Sequence, residues 1–295
     1  MSKFLSFTKG EAIGFIKNGK YINKIIYIDE VKDGKIPFDM DMLLNSLLPQ
    51  KRKNYEMINE IKKSIKSGKW LSKYESIRED IDDKIGRELN IYNGEITPIP
   101  NMKKRDVMYV SAPSGAGKSV FTSIYANNFK KIYPERKIYL ISRLDEDESI
   151  DKINGLERII LDESFLDKPI DVKELYNSLV IFDDVDTIRN KDLKDEVKCL
   201  MDDILQCGRH ENIYTIITSH MLNNNKETRI IMAEQTSITV FPNSGSTKFI
   251  TYCLKQYLGL SSDEIRRILK LPSRWVMIYT HSPRYVLYQS GAYLL

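Results

Sequence analysis

The octapeptide APSGAGKS, residues 112–119, constrains this chain more than any other stretch. It follows the apolar run VMYV (107–110) and opens a helix-like segment, 118–130. That is the P-loop pattern, with Ala112 where glycine is commoner. Gly115 and Gly117 let backbone N–H groups turn inward around phosphate oxygens, where a side chain would obstruct. A helix starting at Lys118 aims the positive end of its dipole at the same phosphates. Lys118 is expected to reach the β- and γ-phosphates, and Ser119 to offer its hydroxyl to Mg²⁺. The expected nucleotide cradle is therefore Ala112, Pro113, Ser114, Gly115, Ala116, Gly117, Lys118, Ser119 and Val120, with ATP and Mg²⁺ as ligands.

A second signal is LVIFDDVD, residues 179–186. An apolar strand ending in two carboxylates is the Walker-B arrangement, in which the first acid, Asp183, holds the Mg²⁺ shell. Asp184, next along, is placed to polarise an attacking water as general base. Taken alone, such a pair equally suits solvent-facing loop acids; the P-loop upstream favours the catalytic reading. Asp186 reads as a surface residue. Adjacent acids also divide P-loop proteins, because nucleotide kinases and GTPases usually lack the second one. Motor ATPases carry it and insert one extra strand between the P-loop strand and the Walker-B strand.

In this chain that extra strand would be IYTIIT (213–218), inside GRHENIYTIITSH (208–220). His220 then stands where a γ-phosphate sensor belongs, and Arg209 where an arginine can reach a neighbouring subunit's γ-phosphate. The plainer alternatives are a hydrogen-bonded structural His220 and an Arg209 that neutralises a helix C-terminus. His210 receives no role.

Elsewhere, strands are expected at 137–142, 157–161, 178–182 and 237–241, with helices at 171–177 and 192–207. Apolar strands alternating with helices argue for a mostly parallel sheet covered on both faces. Ser261-Ser262-Asp263-Glu264 carries a capping-box pattern, and the C-terminal RWVMIYTHSPRYVLYQSGAYLL reads as two strands around a Ser-Pro turn. Residues 1–35 hold short strand-like pieces, and 39–90 look helical with a break near Ser67-Gly68. Between Lys51 and Lys73 the chain has eight basic residues and two acidic ones, with Tyr55 and Trp70 among them. This suits a nucleic-acid-facing surface or an ordinary solvated helix face. The expected division is an α+β N-terminal region of unknown role, 1–100, and a P-loop ATPase domain, 101–295.

Composition bounds the remaining classes. The net charge of +4 permits a polyanionic partner without demanding one. Cys199, Cys207 and Cys253 have no paired or zinc-type spacing, which suits a reducing compartment and argues against a protein-built metal site. No apolar run is long enough to cross a bilayer, and the N-terminal MSKFLSFTKGEAIGF lacks a signal-peptide core. The expected location is the cytosol, or an assembly formed from it.

APSGAGKS, LVIFDDVD and GRHENIYTIITSH together resemble the genome-packaging ATPases of large DNA viruses, a branch of the FtsK/HerA superfamily. The terminal SRWVMIYTHSPRYVL is also similar, so the resemblance covers roughly residues 105–295. It implies an α/β P-loop NTPase of the additional-strand, RecA-like type. It implies a homo-oligomeric ring, hexameric in form, that hydrolyses ATP and drives double-stranded DNA into a capsid, with capsid or membrane-vertex proteins as partners. By motif match it assigns Lys118 and Ser119 to nucleotide and Mg²⁺, Asp183 to Mg²⁺, Asp184 to the base, His220 to the sensor and Arg209 to the finger. The superfamily commonly has Glu at the position of Asp184 and Gln at that of His220. The alternatives left open are a nucleoside or nucleotide kinase, a non-hydrolysing ATP-dependent assembly factor, and a motor serving phage extrusion or conjugation.

Overall fold

The computed structural model describes residues 2–31, 40–47, 51–69, 86–223 and 228–295. The chain divides into two compact units, residues 1–97 with 283–295, and residues 98–282.

In the first unit, β1 (Ser2–Ser6), β2 (Glu11–Ile16) and β3 (Ile25–Val31) form an antiparallel sheet. With β5 (Ile96–Pro98) its order is β1-β3-β2-β5. Leu5, Ile13, Ile16, Ile26 and Ile96 are among its fully buried apolar side chains. Helices α1 (Met40–Leu47) and α2 (Lys51–Lys66) follow the first three strands. The break expected at Ser67-Gly68 falls where α2 ends, with Gly68 at φ +72°. Trp70 and Lys73 of the basic stretch, and the side chain of Tyr55, lie outside the described residues.

Two expectations fail in this unit. Helix was expected to run to residue 90, but Glu88–Asn90 is a strand, β4. The C-terminus was expected to hold two strands, but three occupy it, the last two being β13 (Tyr285–Tyr288) and β14 (Gly291–Leu294). One pairing explains both differences. β14 lies antiparallel to β13 on one side and to β4 on the other, with Ala292 opposite Leu89. A strand of three residues has no periodicity of its own to read, and only its distant partner defines it. That pairing also gathers residues 283–295 with the N-terminal segment, whereas the sequence division had grouped them with 101–282.

The second unit is an α/β layer structure. Its strands are β6 (Val107–Ser111), β7 (Ile138–Ser142), β8 (Leu156–Ile160), β9 (Leu179–Phe182), β10 (Tyr214–Ser219), β11 (Ser237–Val240) and β12 (Val276–Tyr279). Their order is β12-β11-β6-β10-β9-β7-β8. All neighbours from β11 to β8 run parallel, and only β12 is antiparallel. Every residue of β6, β9, β10 and β11 is buried, as strands covered on both faces must be, which is why they read as unbroken apolar runs.

Helix α3 (Lys118–Ile132) buries Phe121, Tyr125 and Phe129, spaced four apart on one face. A one-turn helix α4 (Ser164–Asp167) precedes a 3₁₀ turn at Val172–Leu175. That turn is all that forms where 171–177 was expected helical. Helix α5 (Lys191–Cys207) begins at Asn190, whose side chain accepts from the N–H groups of Asp192 and Leu193. α6 (Arg229–Glu234), α7 (Thr247–Gln256) and α8 (Ser262–Leu269) complete the set. The capping box expected at α8 is present in both halves: Glu264 N donates to Ser261 Oγ (3.3 Å), and Ser261 N to Glu264 Oε2 (2.7 Å).

Among the described residues no helix is long and apolar enough to cross a membrane. All three cysteines are free. Burial pushes the Cys253 thiol up to about 12, so it is inert packing rather than chemistry.

Candidate functional site

Strand β6 delivers the chain to the P-loop, and β10 holds its entry: Ala112 N donates to Ser219 O at 3.2 Å. Gly115 and Gly117 have φ +74° and +111°, the left-handed region that other residues enter only at a cost. Gly117 is the N-cap of α3 and has no side chain to satisfy the first N–H groups, which leaves them for a ligand. The ammonium of Lys118 is nearly buried, folded back over the loop with Nζ donating to Ala112 O at 3.0 Å.

The strand order brings the acids to this loop. β10 lies between β6 and β9, so the C-terminal ends of all three meet. Asp183 is buried at the end of β9. It accepts from Thr218 Oγ1 at 2.8 Å and from Ser142 Oγ at 3.4 Å. Its pKa is raised, first by burial and then by the neighbouring charge of Asp184, while the Thr218 hydrogen bond opposes the shift.

Asp184 is half-buried and sits at φ +45°, a conformation that Asp tolerates better than most residues. Its N–H donates to Thr218 Oγ1 at 2.9 Å, which holds the turn. One carboxylate oxygen is 3.5 Å from Lys118 Nζ, and the other is 2.8 Å from His220 Nε2. Lys118 Nζ is also 3.3 Å from His220 Nδ1. An ammonium has no lone pair to offer, so Nδ1 must accept and Nε2 must carry the proton it donates to Asp184. The three residues thus form one directed chain, from Lys118 through His220 to Asp184, closed by the direct ion pair.

Ser119 Oγ donates to Asp147 Oδ2 at 3.2 Å. Asp147 is held in its turn by the N–H groups of Ser149 and Ile150 on its other oxygen. Asp183 and Asp184 thus lie beside Lys118, with Asp147 close enough to add its charge at Asp183. A hard divalent cation with phosphate oxygens suits this set of oxygen donors and this charge excess. Asp186, read from sequence as a surface residue, is instead half-buried. One of its oxygens is 2.9 Å from Ser219 Oγ, and the other is buried without a hydrogen-bond partner among the described residues.

Other cradle residues differ in exposure. Pro113 and Ser114 are exposed, Ala112 and Ala116 are buried, and Val120 is 44% exposed on the first turn of α3. A cavity of about 220 Å³ adjoins the loop, lined by Ser111, Pro113, His220, Asn223 and Phe249 among others.

Arg209 is not part of this cluster. It is exposed in the turn between α5 and β10, at the opposite end of β10 from Ser219. Six extended residues separate the two ends by roughly 20 Å. The neutralisation of the α5 C-terminus, the alternative reading of Arg209, is done by another residue. Arg105 Nη1 donates to Ile204 O at 2.8 Å and Nη2 to Leu205 O at 2.5 Å. His210 is exposed in the same turn.

Sequence reading missed Arg274. Its Nε donates to Ala116 O at 2.9 Å across 158 residues of chain. The only local hint is a lone arginine between a capped helix and a strand. It likewise missed Asp147, whose partner Ser119 lies on α3, and Thr218, whose partners Asp183 and Asp184 follow β9.

A parallel sheet with one strand inserted between the P-loop strand and the acid-bearing strand defines a P-loop NTPase fold of the additional-strand type. The chain belongs to the family of the uncharacterized protein V3 of Sputnik virophage. The two are 38% identical over 230 residues, which is 77% of this chain and 92% of that protein. No family model matches. Among solved structures, the DNA-packaging ATPase B204 of Sulfolobus turreted icosahedral virus is 14% identical with a TM-score of 0.47. That match covers 64% of this chain and 98% of B204. The conjugation coupling protein TcpA of pCW3 is 12% identical, also with a TM-score of 0.47, over 96% of this chain and 77% of TcpA.

Proposed function

We propose that this chain is an ATP-hydrolysing motor that translocates double-stranded DNA as a ring of its own copies and packages a viral genome. The observation that carries the reading is the closed chain Lys118–His220–Asp184 beside a P-loop whose N-cap, Gly117, offers no side chain to the first N–H groups of α3. It joins a phosphate-binding cation, a sensor and a base on one sheet edge. The motifs' resemblance to packaging ATPases and the virophage relative support the viral role.

The chemistry follows from the contacts. ATP entering the loop offers Lys118 phosphate oxygens in place of Ala112 O, Asp184 and His220 Nδ1. Lys118 moves to the β- and γ-phosphates, and the Asp184 oxygen it held is released toward a water. Asp184 accepts the proton of that water as its oxygen bonds to the γ-phosphorus. The bond to the β-phosphate oxygen breaks, and ADP and phosphate leave. Once Lys118 has left Nδ1, His220 keeps Nε2–H on Asp184, so the sensor and the base report on one another.

Asp183, with Ser119, would hold Mg²⁺, and the ion when bound neutralises the charge on the transferring phosphate. Arg209, on the far edge of its own subunit, is available to a neighbour in a ring, where it would stabilise the charge of the transition state.

The test is the rate of ATP hydrolysis with and without duplex DNA across a salt series. DNA-stimulated turnover that weakens as salt rises is the expected result. Equal rates throughout would end the translocation reading, and tight ATP binding without turnover would favour an assembly factor.

A further inference from the structure

The loop between β7 and β8 touches both groups proposed to hold Mg²⁺. At the end of β7, Ser142 Oγ donates to Asp183 Oδ2 at 3.4 Å and accepts from Leu144 N at 3.1 Å. Further along, Asp147 Oδ2 accepts from Ser119 Oγ at 3.2 Å. Asp147 is braced on every side. Its Oδ1 accepts from the N–H groups of Ser149 and Ile150 at 2.8 and 2.9 Å. Its own N–H donates to Asp151 Oδ2 at 2.8 Å, and Asp151 N donates back to Asp147 O at 2.9 Å. Asp151 is paired with Arg158 of β8, which also donates to Leu144 O, and Ile150 is fully buried beneath the turn. With one carboxylate oxygen fixed by two backbone donors, the other is aimed at Ser119.

A hydroxyl has one proton and two lone pairs. The Ser119 proton is committed to Asp147, which leaves both lone pairs of the oxygen for a cation. Groups that hold a metal are kept in orientation by outer hydrogen bonds of this kind, and losing one weakens metal binding about 10- to 100-fold.

We propose that Asp147 is a positioning residue for Ser119, taking its hydroxyl proton in a hydrogen bond so that the oxygen presents lone pairs to the Mg²⁺ of bound nucleotide. The proposal rests on the reading of residues 112–120 as a nucleotide cradle, and its test separates the two. Asp147→Asn is the informative change. An amide has one oxygen, and the N–H groups of Ser149 and Ile150 require it. The amide NH₂ then faces Ser119 and donates to the oxygen meant for the cation. The turn survives while the bond to Ser119 is reversed, whereas Asp147→Ala loses both.

The experiment titrates Mn²⁺ into the full chain with ADP held below the protein concentration, and reads free Mn²⁺ by electron paramagnetic resonance. Wild type is compared with Asp147→Asn, Asp147→Ala, Ser119→Ala, Lys118→Ala and the double variant of Ser119→Ala with Asp147→Asn. Both Asp147 variants should bind Mn²⁺ about tenfold more weakly or worse, while ADP affinity in chelator stays within about twofold of wild type. In the Ser119→Ala background, Asp147→Asn should add nothing. Mn²⁺ affinity near wild type in Asp147→Asn overturns the proposal while leaving the cradle intact, because Asp147 would then only brace its loop. Additive losses in the double variant overturn it too, because Asp147 would then act without Ser119. If Lys118→Ala binds ADP like wild type, the cradle reading falls and this proposal falls with it.

Discussion

The two ends of strand β10 are built differently. At its C-terminal end Ser219 and His220 sit among Lys118, Asp183, Asp184 and Asp186, and most polar atoms there have a partner. At its N-terminal end Arg209 and His210 are exposed and make no ion pair among the described residues, while Arg105 takes over the helix terminus beneath them. A crowded, hydrogen-bonded cluster is pre-organised chemistry within one chain. An exposed cation with its structural duty already done by another residue is free for a second molecule. In the proposed ring, the first would act within one subunit and the second across to a neighbour.

The sharpest way to break this contrast is at the crowded end. Asp184→Asn keeps the shape and the hydrogen bond from His220 but cannot take the proton of water. Hydrolysis should fall by about 10²- to 10⁴-fold while ATP binding stays near wild type. Turnover within a few-fold of wild type in steady-state assays would remove Asp184 from the base position.

The exposed end is tested by mixing. Arg209→Ala alone should lower turnover by about 10³-fold if the residue completes a neighbour's site. Titrated into wild-type protein, the variant should reduce activity faster than simple dilution. A loss linear in the mutant fraction would return Arg209 to an ordinary surface residue.

A smaller effect concerns pH. The pKa of Asp183 is raised in the folded chain by burial and by Asp184, so the native state binds its proton more tightly than the unfolded state does. The stability this contributes is full below the unfolded carboxylate range and is lost as pH rises through the raised value. The Tm of the nucleotide-free protein in chelator should therefore drop over that interval, and Asp183→Asn should flatten the drop. An unchanged profile in the variant would show that Asp183 is not the group responsible.

The smallest effect belongs beneath Arg209. Arg105→Ala removes two charge-assisted bonds to the last carbonyls of α5 and should cost about 1–3 kcal/mol in urea unfolding. ATP hydrolysis per folded molecule should be unaffected. If Arg209→Ala cost as much stability as Arg105→Ala, the division of labour between the two arginines would be wrong.

Much of this was legible before the fold was in hand. The strands of the second unit lie within a residue or two of their expected positions, because strands buried on both faces are continuous apolar runs. The P-loop needs its glycines at fixed offsets, and the acids follow β9 directly, so both motifs are local. The expected order, with β10 between β6 and β9, also stands. The failures were non-local. β4 has three residues and exists through its pairing with β14. Asp186 was taken for surface because nothing nearby in the chain says that Ser219 lies against it.

By itself, then, the amino-acid sequence determined the loop that can cradle phosphates, the acids that follow a buried strand and the class of sheet that carries them. Each is encoded in consecutive residues whose backbone and side-chain demands are local. Only the tertiary structure decided that Lys118, His220 and Asp184 close into one hydrogen-bonded chain. It also decided that Arg105 rather than Arg209 ends α5, and that Arg274 returns from 158 residues away to rest on the P-loop. Those contacts depend on which strand lies beside which, and no short stretch of sequence carries that information.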